Sequence, residues 1–305
     1  MKETKIAITT SSFAEYDGTP LDLLRGFELK INNSGRKLNK EETLALCQGC
    51  TGIIAGTENY DRDILLKLAG LKVISRCGTG MESIDLKAAS ELNIKVINTP
   101  AGPTLAVAEL TIGLIFDLLR NISAADREIR KGIWKKHMGS LIKGKNIGII
   151  GFGRIGQKVA GFLAPFGVNI AYHDSNQGLN NPLYNKKNLT DLLSWADIIT
   201  LHCALQDKKI IIGKEELVKM KTGAFLINTS RGEFLDEEAV YEALKSKKIA
   251  GFAADTFMSE PYIGKLTEFD NTLLTSHMGS YAKEGRIEME IQTVNNLLKN
   301  LEVIS

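Results

Sequence analysis

One stretch constrains this chain more than any other: Lys145-Asn146-Ile147-Gly148-Ile149-Ile150-Gly151-Phe152-Gly153-Arg154-Ile155-Gly156. A short apolar strand pattern runs into three glycines and then into helix-forming residues, Gln157 to Leu163. The spacing of Gly151, Gly153 and Gly156 is that of a dinucleotide fingerprint. Each glycine has its own physical task. Gly151 permits the tight turn, Gly153 lets the backbone approach a pyrophosphate, and Gly156 lets the helix pack on the strand. Free N–H groups at the helix start, Arg154 and Ile155 among them, then face the anion. A Gly-rich turn before any helix can imitate six such residues, so the context decides. A second strand pattern, Asn169 to Asp174, ends in an acid 18 residues after Gly156, where a ribose-binding carboxylate belongs.

Around this centre the chain alternates apolar strand patterns with helical ones. Strands are expected at 5–9, 52–55, 72–75 and 95–98, then at 146–151, 169–174, 197–203, 224–229, 250–256 and 272–276. Short apolar strands with helices between them imply parallel sheets covered on both faces. The expected fold is therefore α/β, with two doubly wound parallel-sheet domains: a Rossmann domain inserted into a flavodoxin-like one. Asn98-Thr99-Pro100-Ala101-Gly102-Pro103 punctuates the chain and reads as the first crossing. The last segment, Ala282 to Leu301, sets Ile287, Ile291, Val294, Leu298 and Leu301 on one helical face and returns to the first domain. The expected division is 1–100 plus 282–305 against 101–281, and 305 residues suffice for both.

Composition excludes several classes. A net charge of +2 offers no basic field for nucleic acid. The run Thr104 to Leu119 is broken by Glu109 and Asp117, which argues for a buried helix and against a membrane span. The N-terminus lacks the apolar core of a signal peptide. Four cysteines, Cys47, Cys50, Cys77 and Cys203, are too few for a disulfide scaffold and imply a cytoplasmic protein with reduced thiols. Cys47-Gln48-Gly49-Cys50 has no second CxxC to complete a zinc site and closes an amphipathic helix, so no metal is expected.

Three residues suited to 2-oxo acid chemistry follow three successive strands of the second series: Arg231, Glu260 and His277. An arginine fork pairs bidentately with a carboxylate. A histidine exchanges protons near neutral pH, and a carboxylate partner fixes its tautomer. Ligands of open α/β sheets bind at such strand ends.

From about Gly52 onward the chain resembles the D-isomer-specific 2-hydroxyacid dehydrogenases, most closely the short-form D-3-phosphoglycerate dehydrogenases. The resemblance rests on Ser75-Arg76-Cys77-Gly78-Thr79-Gly80-Met81-Glu82-Ser83-Ile84-Asp85, Val107-Ala108-Glu109-Leu110, Gly132-Ile133-Trp134, the fingerprint, Asn228-Thr229-Ser230-Arg231-Gly232, Asp255 to Pro261, and His277-Met278-Gly279-Ser280. It implies Arg231 as anchor of the substrate carboxylate and carbonyl, His277 as general acid and base, and Glu260 as its partner. It implies that the loop Cys77-Gly78-Thr79-Gly80, with Arg76 beside it, meets the substrate carboxylate through backbone N–H groups. Cofactor contacts it implies are Arg154 and Ile155 at the pyrophosphate, Asp174 at the ribose, Cys203, Thr229 and Ser230, Asp255 near the carboxamide, and the turn at Gly279-Ser280.

The cofactor expected is NAD. A 2′-phosphate about 4 Å from Asp174 would be disfavoured by roughly 4 kcal/mol per charge pair at an effective dielectric near 20, and Ser175-Asn176-Gln177 supplies no arginine to offset it. The expected partners are a small 2-hydroxy or 2-oxo acid and a second copy of the chain, met through the Pro103–Lys131 helices. Phosphoglycerate dehydrogenases carry an arginine after the strand that corresponds to Gly52–Ala55. Here Gly56-Thr57-Glu58 stands instead, and Ala101 and Pro103 replace a polar residue after Pro100. The expected function is oxidation of 3-phosphoglycerate to 3-phosphohydroxypyruvate. Reduction of hydroxypyruvate or glyoxylate, or a sugar-acid dehydrogenase, is the alternative within the class; an NAD-sensing corepressor is the alternative outside it.

Overall fold

The computed structural model describes residues 4–204 and 210–302. They form two compact units, Met1–Pro103 with Ser280–Ser305, and Thr104–Gly279. Ser280, grouped above with the cofactor turn, lies in the first unit.

The first unit contains β1 (Lys5–Ile8), α1 (Thr19–Asp22), β2 (Glu28–Ile31), α2 (Lys40–Cys47), β3 (Gly52–Ala55), α3 (Arg62–Lys67), β4 (Val73–Arg76), α4 (Leu86–Glu91) and β5 (Lys95–Asn98). Its sheet is parallel in the order β2-β1-β3-β4-β5. Caps set where the helices start. Asn39 and Glu42 form a capping box on α2, and Asp61 and Asp85 accept amide hydrogen bonds at the starts of α3 and α4. The central strands bury both faces, as Ile6, Ala7, Ile8, Ile53, Ile54 and Ile74 show, all at 0% exposure. The sequence reading missed β2, because Glu28 and Lys30 alternate with half-buried Leu29 and Ile31 on an edge strand.

α5 (Gly102–Arg120) and α6 (Ile122–Arg130) lead into the second unit, with β6 (Asn146–Ile150), α7 (Arg154–Leu163), β7 (Asn169–His173), β8 (Asn185–Lys186), α8 (Leu189–Trp195), β9 (Ile198–Leu201), α9 (Lys214–Lys219), β10 (Ala224–Asn228), α10 (Glu237–Lys245), β11 (Ile249–Ala254) and β12 (Thr272–Leu274). All its strands pair in parallel, in the order β12-β11-β10-β9-β6-β7-β8. α5 is long and apolar enough to cross a membrane by length and composition. Its Ala108, Leu114, Ile115 and Leu119 nonetheless pack into the core with Ile147, Ile149 and Phe152.

α11 (Lys283–Glu302) belongs to the first unit, and Ser75 Oγ donates to its Thr293 carbonyl at 2.8 Å. Its buried face differs from the one expected. Arg286, Met289, Glu290, Thr293, Val294 and Leu297 are buried, whereas Ile287 and Ile291 are half-buried. The cause is an internal ion pair. Arg286 Nε donates to Glu290 Oε1 at 2.7 Å, and Arg286 Nη2 donates to Thr10 and Ser12 hydroxyls. Cys47 and Cys50 are buried beside Ile53 and Leu65, burial raises both thiol pKa values, and no metal-ligand cluster occurs among the described residues.

Candidate active site

In the second sheet the strand order reverses between β6 and β9, which is where ligands of open α/β sheets sit. The fingerprint glycines occupy that point, and geometry assigns each its task. Gly151 has φ +88°, and a Cβ there would meet Cys203 N at 2.6 Å. Gly153, extended and exposed at the N-cap of α7, has nothing within 4 Å of where a Cβ would stand. At Gly156 a Cβ would collide with the Gly151 carbonyl. Turn, open approach and tight packing thus follow one another, and the first amides of α7, from Arg154 and Ile155, head an open anion site. Asp174 follows β7. Its carboxylate accepts from Phe152 N at 2.7 Å and Asn176 N at 2.8 Å, which holds it beside the fingerprint turn. Cys203 is half-buried, and burial, with the nearby Asp174 charge, pushes its thiol up to about 12, so it stays neutral. These residues fit a dinucleotide.

Three loops then converge. The turn after β10 is stiffened by buried Asn228, whose side chain accepts from Ser230 N and Oγ and donates to the Arg231 carbonyl. Gly232 lies so close to the backbone of Phe257 and Met258 that a Cβ would collide with both. Only glycine therefore brings the Arg231 turn against the Glu260 turn. Glu260 Oε1 accepts from Phe257 N at 3.1 Å, and Oε2 meets His277 Nδ1 at 2.8 Å. A carboxylate only accepts, so Nδ1–H donates and Nε2 remains for other chemistry.

His277 has φ +53°, a left-handed conformation that non-glycine residues adopt at some expense. Asp255, 1% exposed, holds it there. Its Oδ1 accepts from Thr275 Oγ1 at 2.6 Å and Met278 N at 2.9 Å, and its Oδ2 from Gly279 N at 2.8 Å. Arg231, Glu260 and His277 line one cavity of about 200 Å³ together with Thr256. The Thr256 hydroxyl is buried and finds no partner among the described residues. Sequence reasoning had not singled out Thr256, Thr275 or the close approach at Gly232.

Thr229 belongs to a buried chain of hydrogen bonds whose direction follows from counting protons. Thr111 Oγ1 donates its proton to the Val107 carbonyl at 2.8 Å, so it accepts from Thr229 Oγ1 at 3.0 Å. Thr229 must then accept from His202 Nδ1–H at 3.4 Å, and Thr200 Oγ1 donates to His202 Nε2 at 2.9 Å. Burial lowers the His202 pKa to about 3, so the ring is neutral. His202 thus holds Thr200 and Thr229 together from inside the sheet.

In the first unit, the 77–80 loop is less open than expected. Cys77 N donates to the Ala55 carbonyl at 2.9 Å and Gly78 N to Thr99 Oγ1 at 2.8 Å. The Cys77 side chain is buried as well. Among the described residues, the Thr79 and Gly80 amides remain for an anion. The Arg76 guanidinium folds back onto the Cys77 carbonyl and lies where a Cβ at Gly78, φ +135°, would stand.

Residues 112–279 match the family model of the D-isomer specific 2-hydroxyacid dehydrogenase, NAD binding domain. A D-3-phosphoglycerate dehydrogenase of Methanocaldococcus jannaschii is 38% identical over 261 residues, 82% of this chain, although the match spans only 49% of that enzyme's length. A hydroxypyruvate reductase of Thermotoga maritima is 34% identical over 258 residues, covering 82% of this chain and 84% of its own. The crystal structure of a glyoxylate reductase from Paecilomyes thermophila superposes with a TM-score of 0.88 at 30% identity, over 99% of this chain and 96% of that one.

Proposed function

The chain belongs to the D-isomer-specific 2-hydroxyacid dehydrogenases, a family of NAD-dependent oxidoreductases, and from that premise we propose that it interconverts a short 2-oxo acid and its D-2-hydroxy acid. The observation that carries the reading is the 2.8 Å contact of His277 Nδ1 with Glu260 Oε2 on a cavity that Arg231 also lines. NADH, when bound, supplies the hydride. In reduction Arg231 pairs with the acid's carboxylate and polarises its carbonyl. His277 enters as the imidazolium; Nδ1–H stays on Glu260 while the Nε2 proton passes to the carbonyl oxygen as it becomes a hydroxyl. In oxidation the neutral Nε2 takes that proton back while Nδ1–H stays on Glu260.

NADH oxidation with glyoxylate, hydroxypyruvate and phosphohydroxypyruvate tests this. His277→Asn should lower kcat by about a hundredfold to ten-thousandfold while NADH affinity stays within about twofold; an unchanged kcat removes His277 from the chemistry. Asp174 at the end of β7 favours NADH over NADPH, and equal efficiency with the two would overturn that preference. Phosphorylated and plain acids are both candidate substrates, because the similar enzymes bear names of both kinds.

The active form, in this reading, is a homodimer. α6 buries none of its residues within the chain, and Ile122, Ile129, Trp134 and Met138 stay at least half exposed. Large apolar side chains left exposed along one segment in this way suit an association surface. Ile129→Glu should shift sedimentation from dimer to monomer, and a wild-type monomer at micromolar concentration would refute the assembly.

A further inference from the structure

The first sheet has a reversal point of its own, between β1 and β3, where an open α/β sheet of order 2-1-3-4-5 receives its ligand. Its carboxyl edge is already filled there by a side chain of this protein. Glu58, two residues beyond Gly56, is 2% exposed. Its Oε2 accepts from Thr9 Oγ1, at the end of β1, at 2.7 Å and from Gly56 N, at the end of β3, at 2.9 Å. Tyr60, fully buried and kept protonated chiefly by that burial, shares a 2.7 Å hydrogen bond with Thr9 Oγ1. The phenol donates to Thr9, whose own proton then goes to the carboxylate.

The arrangement needs glycine at position 56. A Cβ there would lie 2.8 Å from Glu58 Oε2 and 3.1 Å from Thr10 Cα. The amides that remain for an anion, those of Thr79 and Gly80, belong to a turn that starts at the Cys77 N to Ala55 carbonyl bond, one residue before Gly56. An acid anchored on that turn therefore has Glu58 in the neighbouring strand end.

We propose that Glu58 is a specificity-determining residue. As an internal anion it occupies the β1/β3 crevice, and the acid that binds beside it carries a neutral substituent in place of a phosphate. The inference rests on the dehydrogenase reading above and names its substrate class: short, unphosphorylated 2-oxo and 2-hydroxy acids. Like charges in a site of low effective dielectric repel one another more strongly than in water. A phosphate dianion is thus strongly disfavoured.

The test is kcat/KM of the full chain with NADH for hydroxypyruvate against phosphohydroxypyruvate, in the wild type, Glu58→Gln and Glu58→Asp. The wild type should favour hydroxypyruvate at least tenfold. Glu58→Gln keeps an oxygen for the Gly56 amide but loses the charge, and should narrow the ratio about tenfold or more by lowering KM for the phosphorylated acid. Glu58→Asp keeps the charge and should retain the ratio. A wild-type preference for phosphohydroxypyruvate overturns the proposal even if neither variant folds. A ratio unchanged in a folded Glu58→Gln also overturns it. Absence of turnover with every 2-oxo acid, with NADH binding intact, is a separate result: it removes the dehydrogenase reading itself, and this proposal with it.

Discussion

At the carboxyl edge of the second sheet the side chains of His277 and Glu260 keep 51% and 38% of their surface exposed; the ion pair of the first unit, Arg286 with Glu290, keeps 8% and 3%. Both pairs join a base to a carboxylate at less than 3 Å, yet burial gives them different physics. An exposed pair contributes little to stability and can trade a proton with whatever enters the cavity. In a buried pair mutual attraction and hydrogen bonds must offset the desolvation of both charges. Removing one partner strands the other charge in a low dielectric, whereas the intact pair fixes geometry. In the second unit the exposed pair is positioned by a buried acid, Asp255; in the first, buried acids are themselves the end of the line.

The largest effect expected breaks this contrast directly. Arg286→Met should destabilise the fold by about 3–5 kcal/mol, because Glu290 is left buried without its cation. Glu260→Gln should shift stability by no more than about 1 kcal/mol and lower kcat by about tenfold to a hundredfold, since the imidazolium loses its counter-charge. Urea titrations of both variants beside steady-state rates would check it. Equal stability losses would mean that the two pairs do not differ as their burial implies.

The legibility of the sequence follows the same divide. The second unit announced itself because its chemistry is local: three glycines within six residues, and Arg231, Glu260 and His277 each just beyond an apolar strand. The structure brings these together in one cavity. What stayed hidden depends on distant partners. Nothing near Glu58 says that its carboxylate meets Thr9 49 positions away. Likewise Thr111 and Thr229 are 118 positions apart. Gly232 looks like any turn glycine until the Phe257 backbone is seen against it. In α11 the apolar residues alone gave a rotated face, because an ion pair with internal partners can be buried as fully as leucine. Edge strand β2 was missed for the opposite reason, as half-burial leaves charged residues in a strand.

A smaller effect sharpens the comparison at Asp255. Its two oxygens accept three donors. Asparagine offers one oxygen and points an NH₂ group at a backbone N–H. One buried donor is then unsatisfied, which costs about 1–3 kcal/mol, and His277 is no longer held at positive φ. Asp255→Asn should therefore lose stability by that amount and lower kcat more than it weakens NADH binding. A variant of wild-type stability and rate would show that the exposed pair needs no buried support.

A pH-dependent effect concerns His202, a buried base with no charge partner among the described residues. Burial depresses its folded pKa to about 3, against about 6.5 in the unfolded chain. Between those values the unfolded chain binds a proton that the folded chain does not, so stability falls as pH falls through the window, by about 1.4 kcal/mol per pH unit from this group. Above pH about 6.5 the group adds no pH dependence. His202→Gln removes the titration. Its urea midpoint should lie below that of the wild type at pH 7, because the chain through Thr200, Thr229 and Thr111 is disturbed. The gap should close as pH drops from 6 to 4. Parallel stability curves over that range would mean that His202 holds the same proton in the folded and unfolded chains, with Thr200 Oγ1 then accepting from Nε2–H.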